Sequence, residues 1–470
     1  MDTKQSCRID PATRPNTTAQ TSASRRWLTL PTLCLAVLVA QVDTAVVNLA
    51  TRAIGRDLHV GISVLQWVMD SYNLVYAALL LTGGLLADLY GRRRIFMTGA
   101  GLFTAASILC AVAPSAPVLI AGRALAGLGA ALLIPASLAI VRVVWADPAE
   151  RGRALGIWAA CNGVAMAIAP TLGGVLINHA GWRSIFWVVI PLSAAACALA
   201  IPAMPESSDP QGRHFDALAQ CFGAVALGGL AFAAIQSRES PGLAGAALLV
   251  AVLAFALFVR VEAGKGAAAL VPLDIFRSRT FRGALAATSG MTFGMYGLLF
   301  LLPLTWQTTG RFGAVGAGVA LMPMALVFIA VSTFSGALVR RYGARVTAAG
   351  GVAVIGMGLL LIGASTYQAS ILATEIGLTM TGIGMGMATG PLMGAAVGAV
   401  SAARSGTASA IINVARMAGA TIGVALLGAL FAMAHGGPGG LRAAMLLGGS
   451  VQIACAAAAY GAMRSRPGHS

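Results

Sequence analysis

The sequence predicts an all-α integral membrane protein with fourteen transmembrane helices, built as two six-helix halves with two helices inserted between them. Of its 470 residues, 58% are hydrophobic and only 10% are charged, whereas soluble domains carry about 25% charged residues. Segments such as 283–310 and 376–403 contain no Asp, Glu, Lys or Arg, and each is longer than the roughly 20 residues that a membrane-spanning helix needs.

A repeated sequence divides the chain into its halves. The segment Gly-x-x-x-Asp-x-x-Gly-Arg-Arg at 84–93 recurs as Gly-x-x-x-Arg-x-x-Gly-Ala-Arg at 336–345, 252 residues later. Inverted or parallel repeats of this kind are how many secondary transporters are built, with the substrate path between the halves. The first half ends near residue 205, which is shorter than the 252-residue offset between the repeats. The excess length predicts an insertion of two helices at 206–265.

The apolar runs then fix the order of the elements. The expected organisation is a disordered N-terminus (1–28), a first half (29–205), the insertion (206–265), a second half (266–463) and a short tail (464–470). The predicted spans are 29–50, 65–86, 95–113, 117–141, 154–177, 183–204, 217–236, 243–261, 283–307, 314–339, 346–365, 369–399, 405–432 and 443–463.

The basic residues predict the orientation. With the N-terminus in the cytoplasm, 23 of the 31 Lys and Arg residues lie in inner segments and six in outer loops. This asymmetry predicts a multi-pass protein of the cytoplasmic membrane with both termini inside, and it argues against a nucleic-acid partner despite the net charge of +16. The seven cysteines are scattered without a CxxC pair, so neither a disulfide nor a metal site is expected.

Several motifs, in order along residues 29–463, resemble the major facilitator superfamily, and within it the 14-helix drug:proton antiporters. The segment Trp67-x-x-Asp70-x-Tyr72 is most similar to methylenomycin A resistance proteins. The resemblance implies alternating-access export driven by a proton gradient, with no cofactor and a monomer as the working unit. The other matching segments are 84–93 between helices 2 and 3, 123–131 in helix 4, 169–174 in span 5, 42–48 in span 1 and 409–416 in span 13.

Ionisable residues within spans are the candidates for proton coupling, because each is costly to place in a membrane. Asp43, Asp70 and Arg123 lie at similar depth in the outer third of their spans. Glu375 lies there too, 252 residues after Arg123. We expect Asp43 to be the main proton carrier, Asp70 or Glu375 the second, and Arg123 the competing counter-ion. The alternatives are structural hydrogen bonding or packing for Asp43 and Arg123, an interfacial site for Asp70, and a wetted rim position for Glu375.

Two motifs are predicted to control conformation. The first forms the short loop after span 2, where glycines permit a sharp turn and Asp88 can meet the positive end of a neighbouring helix. The second would let span 5 bend and pack closely, and its resemblance to the antiporter motif implies a seal against leak. Topology alone and a simple kink are the respective alternatives. The residues are Gly84, Asp88, Gly91, Arg92 and Arg93, and in span 5 Gly163, Pro170, Gly173 and Gly174.

Aromatic and polar residues at membrane depth are the candidates for the substrate path, although many such residues only pack. Aromatic faces attract organic cations, so small amphipathic drugs or antibiotics are the expected partners, together with protons and lipid. Arg416 enters through the resemblance in span 13. The candidates are Asn48, Trp67, Tyr72, Tyr76, Trp158, Phe293, Tyr296 and Arg416.

Two other functions are compatible with parts of the pattern. A metabolite uniporter or symporter could use the same scaffold, since intramembrane charges do not set direction. A polytopic membrane enzyme is disfavoured because all five histidines lie in loops or the tail, away from any nucleophile or metal-ligand cluster. The sequence also lacks a Walker A motif, which disfavours an ATP-driven pump.

Overall fold

The computed structural model describes residues 23–463 except 146, 209–215, 238, 266–270, 272, 367–369 and 401–403. Within these ranges the regular structure is entirely helical, with thirteen α-helices and one 3-10 helix (Leu273–Arg277). The α-helices are α1 (Ala23–Asp57), α2 (Ile62–Tyr90), α3 (Arg92–Ala111), α4 (Ala116–Val144), α5 (Pro148–Ala180), α6 (Ser184–Ala203), α7 (Ala217–Gln236), α8 (Pro241–Lys265), α9 (Arg279–Thr308), α10 (Ala314–Ser365), α11 (Ile371–Gly398), α12 (Ser405–Met433) and α13 (Gly437–Ala462).

The helices provide the fourteen predicted membrane crossings. Twelve helices in the described part of the chain are long and apolar enough to cross a bilayer, with α10 counted once. Helix α10 has 52 residues and is interrupted at Gly343, where φ is 80°. At a rise of 1.5 Å per residue it would be about 78 Å long if straight, over twice the hydrocarbon thickness of about 30 Å. Its two arms, 314–342 and 344–365, are therefore separate crossings, and α5 supplies the remaining one.

The sequence repeat is a structural repeat. Gly91 and Gly343, which are 252 residues apart, both have positive φ, at 108° and 80°. A side chain is strained in that backbone conformation. The same sharp turn therefore joins α2 to α3 in one half and the two arms of α10 in the other, and glycine is required at both places.

The helices that follow these turns also cross in the same way. A Cβ atom on Gly99 of α3 would lie 2.8 Å from the carbonyl oxygen of Gly129 in α4. One on Gly351, in the second arm of α10, would lie 2.6 Å from the carbonyl oxygen of Gly384 in α11. Backbones that approach this closely are typical of helix packing in membranes, and equivalent pairs in the two halves indicate one packing scheme used twice.

The two halves meet along two seams, one formed by α2 and α12 and the other by α5 and the first arm of α10. The inserted helices lie outside the first seam, because α7 packs against both α2 and α12, and α8 packs against α7. Gln220 of α7 donates to the carbonyl of Ala78 and accepts from the Thr82 hydroxyl. Helix α8 presents apolar side chains to its surroundings, including Leu249 and Phe255, as expected for a lipid-facing helix.

The alternation of helix directions defines two faces of the bundle. We name the face where α1 begins and α13 ends the terminal face, and the opposite one the distal face. The turn at Gly91 lies at the terminal face, where Arg404 also hydrogen-bonds Asp274 in the 3-10 helix before α9. That hydrogen bond from Arg404 holds the pKa of Asp274 below its usual range.

Candidate functional site

A buried ion pair joins α1 to α4 in the first half. The Nη1 atom of Arg123 lies 2.5 Å from Oδ2 of Asp43, and the two side chains are only 1% and 2% exposed. Burying two charges is costly and is tolerated when they are paired and hydrogen-bonded. Two of the residues predicted for proton coupling are therefore in direct contact. Their similar predicted depth within the spans is consistent with this contact.

Helix α2 completes the surroundings of this pair. The Nε atom of Arg123 donates to the carbonyl of Val68 at 3.3 Å. Its guanidinium carbon lies 4.7 Å from the ring centroid of Tyr72, a cation–π geometry. Three helices thus hold the guanidinium in one position, so a change at the Asp43 carboxylate is transmitted to α1, α2 and α4 together.

Asp70 is also buried in α2, but its surroundings differ from those of Asp43. The residue is 0% exposed, and neither carboxyl oxygen has a hydrogen-bond partner among the described residues. The neighbouring Asn73, 1% exposed, is likewise without a side-chain partner there. An unpaired carboxylate in such a site is strongly disfavoured relative to the neutral acid. The molecule therefore holds two buried aspartates, of which Asp43 is paired with a cation and Asp70 has no partner among the described residues.

The packing of α2 on α12 places Asp70 at the seam between the halves. Gln66, one turn earlier, donates to the carbonyls of Val424 and Ala425 at 3.0 and 2.9 Å. The two helices run in opposite directions. Asp70 is therefore level with Thr421, which lies on α12 one turn closer to the terminal face than Val424 and Ala425. Thr421 is itself 0% exposed with no described hydroxyl partner. Asp70 is thus enclosed where the two halves meet, about 12 Å from the start of α2 at a rise of 1.5 Å per residue.

Glu375 is not brought to the ion pair. It lies in the first turns of α11, at the distal rim of the second half, and is half-buried with Oε2 lacking a described partner. Its neighbours Leu372 and Ile376 are 71% and 46% exposed. Arg123, its counterpart in the sequence repeat, is instead neutralised by Asp43. The equal sequence offset therefore does not make these two charges partners in this arrangement.

Buried glutamines join the halves near the distal face. Gln66 crosses to α12 as described, and Nε2 of Gln307 in α9 donates to the carbonyl of Leu49 in α1 at 3.1 Å. Both glutamine side chains are buried, where hydrogen bonds of this kind are costly to leave unmade. The sequence analysis missed them, although an amide side chain within an apolar span was the signal that could have identified them.

The span-5 motif packs at the second seam. A Cβ on Gly174 would lie 2.7 Å from the carbonyl oxygen of Ala314 in α10, and one on Gly318 would overlap the carbonyl of Pro170. Gly173 faces α1 instead, where an added Cβ would lie 2.5 Å from a side-chain carbon of Val46. Backbones of the two halves therefore touch here, in the distal part of the bundle. The surroundings of Gly163, also predicted for this motif, lie outside the described part of the structure.

We expect Gly318→Val to weaken this seam, because the added side chain overlaps the Pro170 carbonyl and must push α5 away from α10. The expected result is a substrate-independent proton leak several-fold above that of the wild type, measured as the decay of an imposed pH gradient in proteoliposomes. Gly313→Ala is the matched control, since the space around Gly313 is open. Equal leak rates in the two variants would contradict a sealing role for this contact.

The 84–93 motif ties the terminal face of the first half together. Asp88 accepts from Nη2 of Arg92 at 2.8 Å, and Arg93 donates to the carbonyl of Met204 at 3.3 Å. The Glu206 carboxylate, which follows α6, accepts from the backbone N–H groups of Arg93 and Arg94 at 3.1 and 3.2 Å. An anion at a helix N-terminus is favourable. Glu206 was therefore a missed member of this site.

Replacing Glu206 is expected to loosen the start of α3. Glu206→Ala removes both hydrogen bonds and should lower stability by about 0.5–2 kcal/mol, the range for lost helix caps. Glu206→Gln keeps an acceptor oxygen without the charge and should lie between the wild type and the alanine variant. Thermal unfolding in detergent measures both, and wild-type stability in Glu206→Ala would rule out the capping role.

The substrate-path candidates occupy different surroundings. Trp67 faces the inserted helix α7, with its ring centroid 6.0 Å from that of Phe232. Trp158 donates to the Ser137 hydroxyl within the first half at 3.1 Å. Asn48 is buried and donates to the carbonyl of Thr44 at 3.3 Å. These three are therefore engaged within the scaffold in this arrangement.

The remaining candidates lie in or beside the packed cores of the bundle. Tyr76 is 6.0 Å from Tyr72, centroid to centroid, and is packed in the core of the first half. Tyr296 of α9 is half-buried and contacts the cores of both halves. Phe293 is buried, and its backbone closely approaches Gly423 of α12. Arg416 lies on α12 next to Met417, which packs into the buried core that contains Tyr76.

Comparison with known proteins decides the family. The family model described as Major Facilitator Superfamily matches residues 33–424. The chain belongs to the major facilitator superfamily. Among superfamily relatives, the multidrug resistance protein Stp of Mycobacterium tuberculosis is 36% identical over 408 residues, covering 86% of this chain and 76% of that protein. The methylenomycin A resistance protein of Bacillus subtilis is 33% identical, covering 85% and 86%. The predicted family resemblance is thereby confirmed.

Solved structures of other transporters share the fold. The POT family transporter PepTSo aligns with a TM-score of 0.71 over 92% of this chain and 97% of its own, at 14% identity. A D-xylose-proton symporter aligns with a TM-score of 0.67 over 93% and 98%, also at 14% identity. At this level of identity the likeness concerns the fold, and it confirms the predicted multi-pass major facilitator architecture.

Proposed function

We propose that this protein exports small amphipathic compounds from the cell in exchange for protons, by alternating access across the cytoplasmic membrane. The observation that carries the proposal is the pair of buried aspartates at one depth, one compensated by Arg123 and the other without a partner among the described residues. Relatives named as multidrug or antibiotic resistance proteins support export as the direction. With both termini in the cytoplasm, the distal face is the outer one.

The arrangement of the halves supports assignment to an inward-facing state. Gln66, Gln307 and the contacts of Gly174 and Gly318 all join the halves near the distal face. Toward the terminal face, Gly156 of α5 has open space beside it, and Phe334 of α10 is 65% exposed. A path between the halves would then open to the cytoplasm, where substrate binds.

Asp70 provides the physical link between a proton and this state. Closing α2 onto α12 removes Asp70 from water, and only the neutral acid is tolerated there. Opening the distal seam would wet the carboxyl and let it exchange a proton with the outside. A proton taken up there is then required before the seam can close again. When substrate binds from the cytoplasm, loss of this proton to the cytoplasm would leave a carboxylate that the closed seam does not tolerate, so the distal seam opens and one substrate leaves for each proton released.

We propose an order of roles for the two aspartates that differs from the one expected from sequence. Asp43 is held by Arg123 in this state, and Asp70 is paired with no cation among the described residues. We assign proton loading at the distal seam to Asp70, and to Asp43 the electrostatic contact that holds α1, α2 and α4 together until the conformation changes.

Inside-out vesicles test the proposed function. An imposed gradient, acidic inside, is monitored with a pH-sensitive dye while small antibiotics and dyes are added outside. We expect at least one compound to dissipate the gradient only in vesicles that contain the protein. Accumulation of a compound without any proton movement, and without dependence on the gradient, would instead favour a uniporter on the same fold.

A further inference from the structure

Arg416 is a cation at mid-membrane depth that has no paired anion among the described residues. It lies 11 residues after the start of α12, about 16 Å along the helix axis at 1.5 Å per residue. Its Nε atom has no hydrogen-bond partner, and among the described residues its guanidinium is in no ion pair. An unpaired charge at this depth is expensive and marks a functional position.

No described carboxylate forms an ion pair with Arg416. Asp43 pairs with Arg123, Asp70 is enclosed at the distal seam, and Glu375 is at the distal rim. Those at the helix ends have local partners: Asp57 with Arg183, Asp88 with Arg92, Asp216 with Lys265, Glu262 with the Val271 amide and Asp274 with Arg404.

The groups around Arg416 indicate which kind of molecule this site would bind. Tyr76 is buried in the core of the first half, and Tyr296 from the second half packs against that core. Met417, the next residue, packs into the core of the first half, so this stretch of α12 faces the space between the halves. A guanidinium and two phenols offer hydrogen-bond donors, and the rings offer flat apolar surfaces. Such a site favours an aromatic molecule that carries an oxyanion.

We propose that Arg416 is a substrate-binding residue and that the substrates are aromatic amphiphiles with a carboxylate or phenolate group. This inference rests on the proposed function and narrows it, because the aromatic residues alone would equally suit organic cations. It also changes the energetics of transport. When an anion leaves the cell and a proton enters it, both movements carry net positive charge inward. A membrane potential that is negative inside therefore drives export together with the pH gradient.

Binding to the purified protein tests the substrate class without any proton gradient. The probes are 2-naphthoate, 2-naphthamide and 2-naphthylmethylammonium, which share a ring system and differ in charge. We expect wild-type protein to bind the naphthoate at least tenfold more tightly than the ammonium. Arg416→Gln should weaken naphthoate binding about tenfold or more, as for one lost hydrogen bond between charged groups, while naphthamide binding changes little. Arg416→Lys should keep part of the preference.

Arg279→Gln is the matched control, because Arg279 is exposed at the start of α9, and it should bind all three probes as the wild type does. Equal wild-type affinity for the three probes, or naphthoate binding that survives in Arg416→Gln, would overturn the inference. Arg416-dependent naphthoate binding without proton movement in vesicles would leave the inference intact and refute proton-coupled export. Naphthamide binding also shows whether the glutamine variant is folded.

Discussion

Replacing Asp43 with Asn is expected to destabilise the protein more than any other single charge removal in the chain. The substitution leaves Arg123, with a side chain 1% exposed, as an uncompensated buried cation. Breaking a buried pair by removing one partner costs about 3–5 kcal/mol. We expect a clear fall in the thermal unfolding temperature in detergent and loss of transport, since α1, α2 and α4 lose the contact that holds them together.

Two controls separate the buried pair from charge loss in general. Asp57→Asn makes the same change in the Asp57–Arg183 pair, whose side chains are 46% and 37% exposed, and should cost no more than about 1 kcal/mol. Asp43→Asn combined with Arg123→Gln removes both buried charges and should recover part of the lost stability without recovering transport. Wild-type stability in the single Asp43→Asn variant would show that Arg123 does not depend on this partner.

Asp70→Asn is expected to have the opposite profile: a stable protein that no longer couples substrate to protons. The amide resembles the neutral acid in size and charge, so the closed distal seam is preserved. It cannot exchange a proton when the seam opens. We expect substrate-induced proton movement in inside-out vesicles to fall to the level of protein-free vesicles, while substrate binding in detergent and the unfolding temperature stay close to wild type.

The contrast between the two aspartates makes the assignment testable in one experiment. If Asp70→Asn retains full proton-coupled export, Asp70 does not carry the transported proton. If it unfolds as readily as Asp43→Asn, the wild-type carboxyl was ionised and compensated, and the neutral form assigned to it is wrong. Loss of proton movement with intact folding and binding is the result that the enclosed, partnerless carboxyl predicts.

The repeat and the spans could be predicted because they depend on local chemistry. Apolar runs specify helices of membrane-spanning length, and the turns at Gly91 and Gly343 require glycine wherever they occur. The two inserted helices followed from the sequence offset, and the structure has them as α7 and α8. The partners of Gln66 and Gln307 could not be predicted, because each donates to backbone carbonyls in the opposite half, and any residue presents a carbonyl.

Hydrophobicity, charge asymmetry and repeated motifs are properties of residues in order, so the major facilitator fold and the charges within its spans could be predicted from the amino-acid sequence. The partner of each charge could be identified only from the packed helices. Asp43 and Asp70 are the same residue type at the same depth, yet one faces Arg123 and the other is enclosed without a partner between α2 and α12. The effect of a buried charge depends on the groups around it in space, and those groups come from helices distant in the chain.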